Sequence, residues 1–205
     1  MEAQLSEEWF AIRNGKFTAS KIDSLLGVKG LGKTGETYCF EKAVELVEGE
    51  QEETYTNFDI QRGIEQEPYA FNKFSELMSL EFKSVSKAEF VLYGEHAGAS
   101  PDGLVSDNSI LEIKCPKRAK FYRYLIEGIK AIDDVYYNQM QMQMLATNCN
   151  QAYFFNYIII KGVEKWHTIV VPRDEDRIEL IKSRIEEAIV KRDEYVKTII
   201  NNKQF

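Results

Sequence analysis

Residues 99–116, Ala-Ser-Pro-Asp-Gly-Leu-Val-Ser-Asp-Asn-Ser-Ile-Leu-Glu-Ile-Lys-Cys-Pro, constrain the fold of this chain more than any other stretch. Asp107-Asn108-Ser109 is a turn-forming run between strand-like Gly103-Leu104-Val105 and Ile110 to Cys115, so a hairpin is predicted. Side chains alternate along a strand, which puts Glu112 and Lys114 on one face and Leu111, Ile113 and Cys115 on the other. Pairing of the two arms carries Asp102 toward Glu112. Two carboxylates and an ammonium then share a small volume, and a hard divalent cation bound through oxygen relieves the repulsion between the carboxylates. Such an ion beside a lysine suits phosphodiester hydrolysis, because it activates a water and offsets charge on the phosphate. The same letters also suit a turn cap at Asp102 and a solvated cross-strand pair, and spacing alone leaves both open.

The rest of the chain reads as an alternation of helices and strands. Helical periodicity marks a segment beginning at Ser6-Glu7-Glu8-Trp9, a second from Thr18 to Leu26 with Thr18 as N-cap and Gly27 after its end, and a third over 35–48. In the third, Phe40, Ala43, Val44 and Val47 form the apolar side. An acidic surface loop follows from Gly49 to Asn57. Phe58 to Met78 is helical with Ile60, Ile64, Phe71, Phe74 and Leu77 inward, and Pro68 predicts a kink at Glu67. A strand ends at Glu89–Tyr93. After the hairpin come helices over 117–128 and 133–147, separated by Gly128, then strands 152–160 and 166–171 and a long helix over 173–203. The Gln-Met-Gln-Met-Gln-Met run mimics strand alternation, but its length and flanks favour helix, with Tyr136, Gln139 and Gln143 along one face. The expected fold is α/β, a central mixed sheet flanked by helices with a helical N-terminal third.

At 205 residues without a Pro/Gly/Ser-rich linker, the chain is expected to be a single domain over 1–205. No apolar run approaches the roughly 18 residues a membrane span needs. Three widely spaced cysteines, Cys39, Cys115 and Cys149, suit reduced thiols in a cytoplasmic protein, not a disulfide frame or zinc site. A net charge of −7 argues against a passive nucleic-acid coat. It is compatible with a nuclease whose acidic site is neutralised by metal. Lys114, Lys117, Arg118, Lys120 and Arg123, interleaved with Phe121, Tyr122 and Tyr124, form the one stretch suited to tracking a phosphate backbone; a solvated helix face explains it equally well.

Gly27-Val28-Lys29-Gly30-Leu31-Gly32-Lys33-Thr34 satisfies the Walker A pattern letter for letter. A P-loop must leave a strand and enter a helix. Here Ile22, Leu25 and Leu26 precede it at helical spacing, so a glycine-rich connection between two helices is expected in place of a nucleotide site.

Ser100-Pro101-Asp102-Gly103 together with Leu111-Glu112-Ile113-Lys114-Cys115-Pro116 resembles the PD-(D/E)xK nuclease core. Trp9-x3-Arg13-x-Gly15-x2-Thr18-Ala19-Ser20, Arg62-Gly63-x3-Glu67 and Tyr136-x2-Gln139 widen the match. They make the chain similar, from about Trp9 to Asp174, to the phage recombination exonucleases related to lambda exonuclease. That resemblance implies a 5′→3′ exonuclease on double-stranded DNA, dependent on Mg²⁺ (Mn²⁺ as a substitute) with two ions per site. It also implies a homo-oligomer, a ring of three subunits threaded by DNA, and a single-strand annealing protein as partner. By the same resemblance Asp102, Glu112 and the Ile113 carbonyl hold the metals, and Glu67 completes the site directly or through a water. Lys114 orients the attacking water or stabilises charge on phosphorus, supported by Gln139 and Tyr136. Arg13, Ser20 and Ser100 grip the terminal 5′-phosphate, a role that fits a guanidinium and hydroxyls near a helix N-terminus. His96, alone in its turn, is left out of the metal set. Within the nuclease class the alternative is a RecB-like enzyme of other polarity. Its iron–sulfur forms need four cysteines where this chain has three.

Overall fold

The computed structural model describes residues 7–49 and 58–202. The Ser6 helix start, most of the acidic loop after Gly49 and the tail beyond Asn202 lie outside the described residues. Helix α1 spans Glu7–Arg13, strand β1 Phe17–Thr18, and a 3₁₀ helix Ala19–Leu25. Helices α2 (Gly32–Glu48) and α3 (Phe58–Leu80) follow, then short strands β2 (Val85–Ser86), β3 (Val91–Tyr93) and β4 (Ala97–Ala99). The hairpin is β5 (Gly103–Val105) and β6 (Ser109–Lys114). Helix α4 (Arg118–Glu127), a 3₁₀ turn at Gly128–Ala131 and helix α5 (Asp134–Thr147) lead to β7 (Gln151–Ile160), β8 (Val163–Pro172) and α6 (Glu175–Asn202).

A five-stranded sheet runs in the order β2-β5-β6-β7-β8, and a three-stranded sheet in the order β1-β4-β3. The hairpin pairs antiparallel with Gly103 opposite Leu111. β6 and β7 are parallel, Glu112 opposite Phe154, and parallel neighbours need a crossover. Here α4 and α5 supply it.

Both faces of β6 and β7 are covered, so alternation sorts their side chains into two cores. Leu111, Ile113, Tyr153 and Phe155 pack with Ala70, Phe74 and Met78 of α3. Ile110, Ala152 and Phe154 pack with Tyr124 of α4 and Met140 and Met144 of α5. Glu112 has the parity of Ile110 and therefore turns to the α5 side. A third core joins Phe17, Ile22, Leu25, Tyr38, Cys39 and Met142 to Ile181, Ile185 and Ala188 of α6. Helix α5 lies between cores and is buried on several sides, its Asn138, Gln141 and Gln143 included. The mixed sheet, the flanking helices and the mainly helical N-terminal part are as the sequence predicts.

Several local expectations are overturned. The segment after Thr18 is a 3₁₀ helix, not an α-helix, and Thr18 makes no side-chain cap bond. Its N–H donates to Tyr38 Oη instead (3.0 Å). Phe17-Thr18 is a strand, paired in parallel with Ala97-Gly98. Gly27 has no left-handed backbone; Gly30 (φ 91°) and Gly32 (φ 64°) do. The Walker-like loop leaves a 3₁₀ helix and enters α2, so the strand that a P-loop requires is not there. On α2, Phe40 is exposed, while Tyr38, Cys39, Lys42 and Ala43 are buried. Lys42 is carried inside by Glu45, whose two oxygens lie 2.6 and 2.7 Å from its Nζ. Helix α3 is continuous through Pro68, with Ile64 exposed. The i−4 bond that proline forfeits falls on the Ile64 carbonyl, on an exposed side where solvent can satisfy it. The three cysteines are free thiols. Among the described residues no helix is long and apolar enough to cross a membrane.

Candidate active site

The hairpin delivers the two carboxylates as the sequence anticipates. Asp102 sits at the mouth of β5, where its Oδ2 accepts the Ile113 N–H at 2.6 Å. That bond ties the residue after Ser100-Pro101 to the C-terminal end of β6. Glu112 is almost wholly buried, 1% exposed. Its Oε1 accepts from Lys114 Nζ (2.5 Å) and Gln139 Nε2 (2.8 Å), and its Oε2 accepts from Gln143 Nε2 (2.6 Å). A buried carboxylate needs donors to offset lost hydration, and three side chains supply them. Lys114 also lies 4.7 Å from the centroid of the Tyr136 ring.

Electrostatics are those of crowded carboxyls. Burial, reinforced by Glu112, pushes the Asp102 carboxyl well above the usual carboxylate range, against the pull of Lys114. Burial likewise raises Glu67; Lys87 opposes the shift and Glu112 adds to it. Burial works against the charge on Lys114, but Glu112 and Asp102 outweigh it and hold the ammonium above its ordinary range. Lys114 is therefore a fixed cation, not a proton acceptor, at neutral pH. Cys115 is pushed up to about 12 by burial, with Glu67 adding to the shift, and remains a thiol.

A cleft of about 630 Å³ opens beside this cluster, lined by Arg62, Glu67, Ile113, Lys114, Lys120 and Tyr136 among others. Of the basic stretch, Lys114, Lys117 and Lys120 border the cleft. Lys120 there pairs with Asp133 (2.7 Å), Arg123 pairs with Glu127 away from the cleft lining, and Phe121 and Tyr124 are core residues.

A second constellation lies on the N-terminal side. Arg13 ends α1, and its Nη1 donates to Ser100 Oγ at 3.0 Å. Its guanidinium lies 4.0 Å from the Trp9 ring centroid and 5.1 Å from that of Phe90. Burial lowers it to about 10, partly offset by Tyr38 and Glu45, so it stays charged at neutral pH. The turn behind it is held from two sides. Gly15 N–H donates to Glu45 Oε2 (2.9 Å), and Gly15 O accepts from Arg192 Nη1 (2.9 Å). Gly15 has φ 67°, and a Cβ there would meet Leu46 at 2.3 Å, so only glycine fits. Ser20 is placed differently. Its Oγ lies 3.3 Å from Thr18 Oγ1, and it borders a separate depression with Lys21, Lys33 and Thr34. The structure thus joins Arg13 to Ser100 and leaves Ser20 to one side. Helical spacing aligns Gln143 with Gln139 but does not reveal its bond to Glu112. The i, i+4 repeat of glutamine was the available signal.

The donor set fits a hard divalent cation. Asp102, Glu112 and the Ile113 carbonyl would offer oxygen only, and burial, with Glu112 adding to it, already disfavours the charged Asp102 carboxyl that a cation would stabilise. Among the described residues, no three His, Cys, Asp or Glu side chains gather as a ready-made metal cluster. An ion here would rest on two carboxylates and a backbone oxygen, with Glu67 on the cleft wall.

A mixed sheet whose E-x-K strand lies beside a proline-aspartate corner defines a nuclease core of the PD-(D/E)xK type. Residues 8–150 match the YqaJ-like viral recombinase domain, and the chain belongs to that family. An alkaline exonuclease (LHK-Exo) from Laribacter hongkongensis superposes with a TM-score of 0.83 at 27% identity, over 96% of this chain and 97% of that one. Its complex with dAMP gives 0.81 at 27% identity, over 95% and 96% of the two chains. A phage related exonuclease from Haemophilus somnus 129PT shares the fold, with a TM-score of 0.73 and 20% identity over 90% of this chain and 96% of that one. No curated protein matches the chain. The sequence resemblance to the lambda-type recombination exonucleases is borne out.

Proposed function

We propose that this chain is a metal-dependent DNA exonuclease that degrades duplex 5′→3′ from 5′-phosphorylated ends, acting as one nuclease domain over residues 1–205. The observation that carries this reading is the Arg13–Ser100 bond, two residues upstream of Asp102. It sets a fixed cation and a hydroxyl beside the carboxylate cluster, where a terminal phosphate would lie next to the bond to be cut. The likeness to an alkaline exonuclease supports the activity. That relative has been seen with dAMP, and a nucleoside monophosphate is what stepwise hydrolysis of DNA releases.

Asp102, Glu112 and the Ile113 carbonyl would hold Mg²⁺ or Mn²⁺, two ions per site, with Glu67 completing the site directly or through a water. When bound, the ions supply an activated water and charge neutralisation at the phosphate. Lys114 keeps its proton and directs it at the attacking water or at a non-bridging phosphate oxygen. Gln139 fixes Glu112, and the Tyr136 ring fixes Lys114. Arg13, Ser20 and Ser100 grip the terminal phosphate, Ser20 after a shift of its side chain. Lys117 and Lys120 track the backbone along the cleft. By family likeness the protein is a cytoplasmic homo-oligomer, a trimer, working with a single-strand annealing protein.

Duplex labelled at either end tests the reading, with Mg²⁺ or EDTA present. We expect prompt release of 5′-labelled mononucleotide in Mg²⁺ only, faster from 5′-phosphate than from 5′-hydroxyl ends. Prompt release of 3′ label would make the enzyme a nuclease of the opposite, RecB-like polarity.

A further inference from the structure

Gln143 has its single side-chain nitrogen between the two constellations. Its Nε2 donates to Glu112 Oε2 at 2.6 Å and to the Ser100 carbonyl at 3.4 Å. Ser100 is the residue whose hydroxyl accepts from Arg13. The amide carries two hydrogens, so both acceptors can be served at once. Gln139 differs: its Nε2 donates to Glu112 Oε1. Gln143 is fully buried, and its Oε1 has no hydrogen-bond partner. A methionine would fill the same space without an unpaired oxygen, so packing alone does not explain an amide here. Its bonds to Glu112 and Ser100 do.

Resting on the 5′-end reading above, we infer that Gln143 is a positioning residue that couples occupancy of the Arg13–Ser100 end pocket to the placement of Glu112. A terminal phosphate engages the Arg13 guanidinium and the Ser100 hydroxyl. Ser100 is thereby fixed, its carbonyl holds one amide hydrogen of Gln143, and the other hydrogen holds Glu112 Oε2 in one orientation. With a 5′-hydroxyl end, Ser100 is held by Arg13 alone and the strut is looser. The device acts on turnover, because the direct phosphate contacts are made by other residues. Discrimination between ends therefore has two parts: binding, supplied by Arg13 and Ser100, and rate, transmitted by Gln143.

The test uses Gln143→Met, with Gln143→Asn as a second variant that keeps an amide too short to span both acceptors. Gln139→Met is the control that perturbs Glu112 without touching Ser100. Saturating initial rates are measured in Mg²⁺ on 5′-phosphate and 5′-hydroxyl duplex, and anisotropy in EDTA gives the affinity for each duplex without metal. We expect Gln143→Met and Gln143→Asn to bring the ratio of the two saturating rates down to within about threefold of unity, while metal-free affinities stay within about twofold of wild type. Gln139→Met lowers both rates and preserves the ratio. A wild-type ratio that survives in either folded Gln143 variant, or is lost equally in Gln139→Met, overturns the coupling and leaves the end pocket standing. Equal wild-type rates and affinities on the two duplexes overturn the pocket and the coupling together.

Discussion

Arg13→Ala is the most informative single change, because the structure separates what this arginine does for folding from what it offers a ligand. Within the protein it donates to Ser100 Oγ and lies over Trp9 and Phe90. Each of the two cation–π contacts of this half-buried guanidinium is worth at least about 0.5–1 kcal/mol, and a neutral-acceptor bond of a charged donor about 1.5–3 kcal/mol before solvent replaces it. Stability should therefore fall by about 2.5–5 kcal/mol at most, readable as a drop in Tm. Toward a ligand, the guanidinium offers charge-assisted bonds to a terminal phosphate, which carries more charge and more free oxygens than an internal diester. Losing them costs about 1.5–3 kcal/mol, or roughly 10- to 100-fold. Burial lowers this group only to about 10, so the charge is present across the working pH range. The assay is initial rate on 5′-phosphate and 5′-hydroxyl duplex at one fixed salt concentration, since phosphate contacts are salt-sensitive. Wild type should favour the phosphorylated end by that factor, and Arg13→Ala should erase most of the preference while leaving Mn²⁺ binding intact. An unchanged preference in Arg13→Ala, in protein that melts cooperatively, would refute the end-pocket geometry.

Three other outcomes follow from the same contacts. Asp102→Asn should abolish cleavage yet raise the Tm of metal-free protein at pH 7. The carboxyl is held above its unfolded range by burial and Glu112. Its protonated form is favoured in the fold, so its contribution is full below the unfolded value near pH 4 and is lost as pH rises through the raised value. The gain from Asn should thus vanish at acid pH, and an equal gain at both would show that charge is not the cause. Lys114→Met should reduce turnover at least 100-fold, the scale on which single electrostatic donors act. Calorimetry should find Mn²⁺ affinity unchanged or tighter, because a cation beside Glu112 is gone; a collapse of metal binding would make Lys114 structural. Lys33→Ala should stay within a few-fold of wild type in DNA degradation, with no ATP hydrolysis by either protein; ATP turnover lost in the variant would contradict the helical approach to that loop.

What the sequence determined by itself was local and periodic. A turn run between strand-like arms fixed the hairpin, and the period of two put Glu112 and Lys114 on one face and Leu111 and Ile113 on the other. Helical spacing before Gly27 ruled out a P-loop, and the 3.6-residue period aligned Tyr136, Gln139 and Gln143. Tertiary structure decided which of these faces met. Phe17-Thr18 is a strand only because Ala97-Gly98 lies beside it, 80 residues away, and no two-residue segment announces such a partner. Lys42 is buried and Phe40 half exposed on one helix because Glu45 neutralises the first and the second lies on the rim of a core, edge-on to Tyr195 of α6. Arg13 meets Ser100, while the Ser20 hydroxyl lies against Thr18 Oγ1 at the edge of a separate depression. Gln143 gains its position only when α5 is laid across β6. Backbone periodicity sets which side chains share a face, whereas burial and pairing depend on elements remote in the chain, whose approach is fixed by the packing of all three cores together.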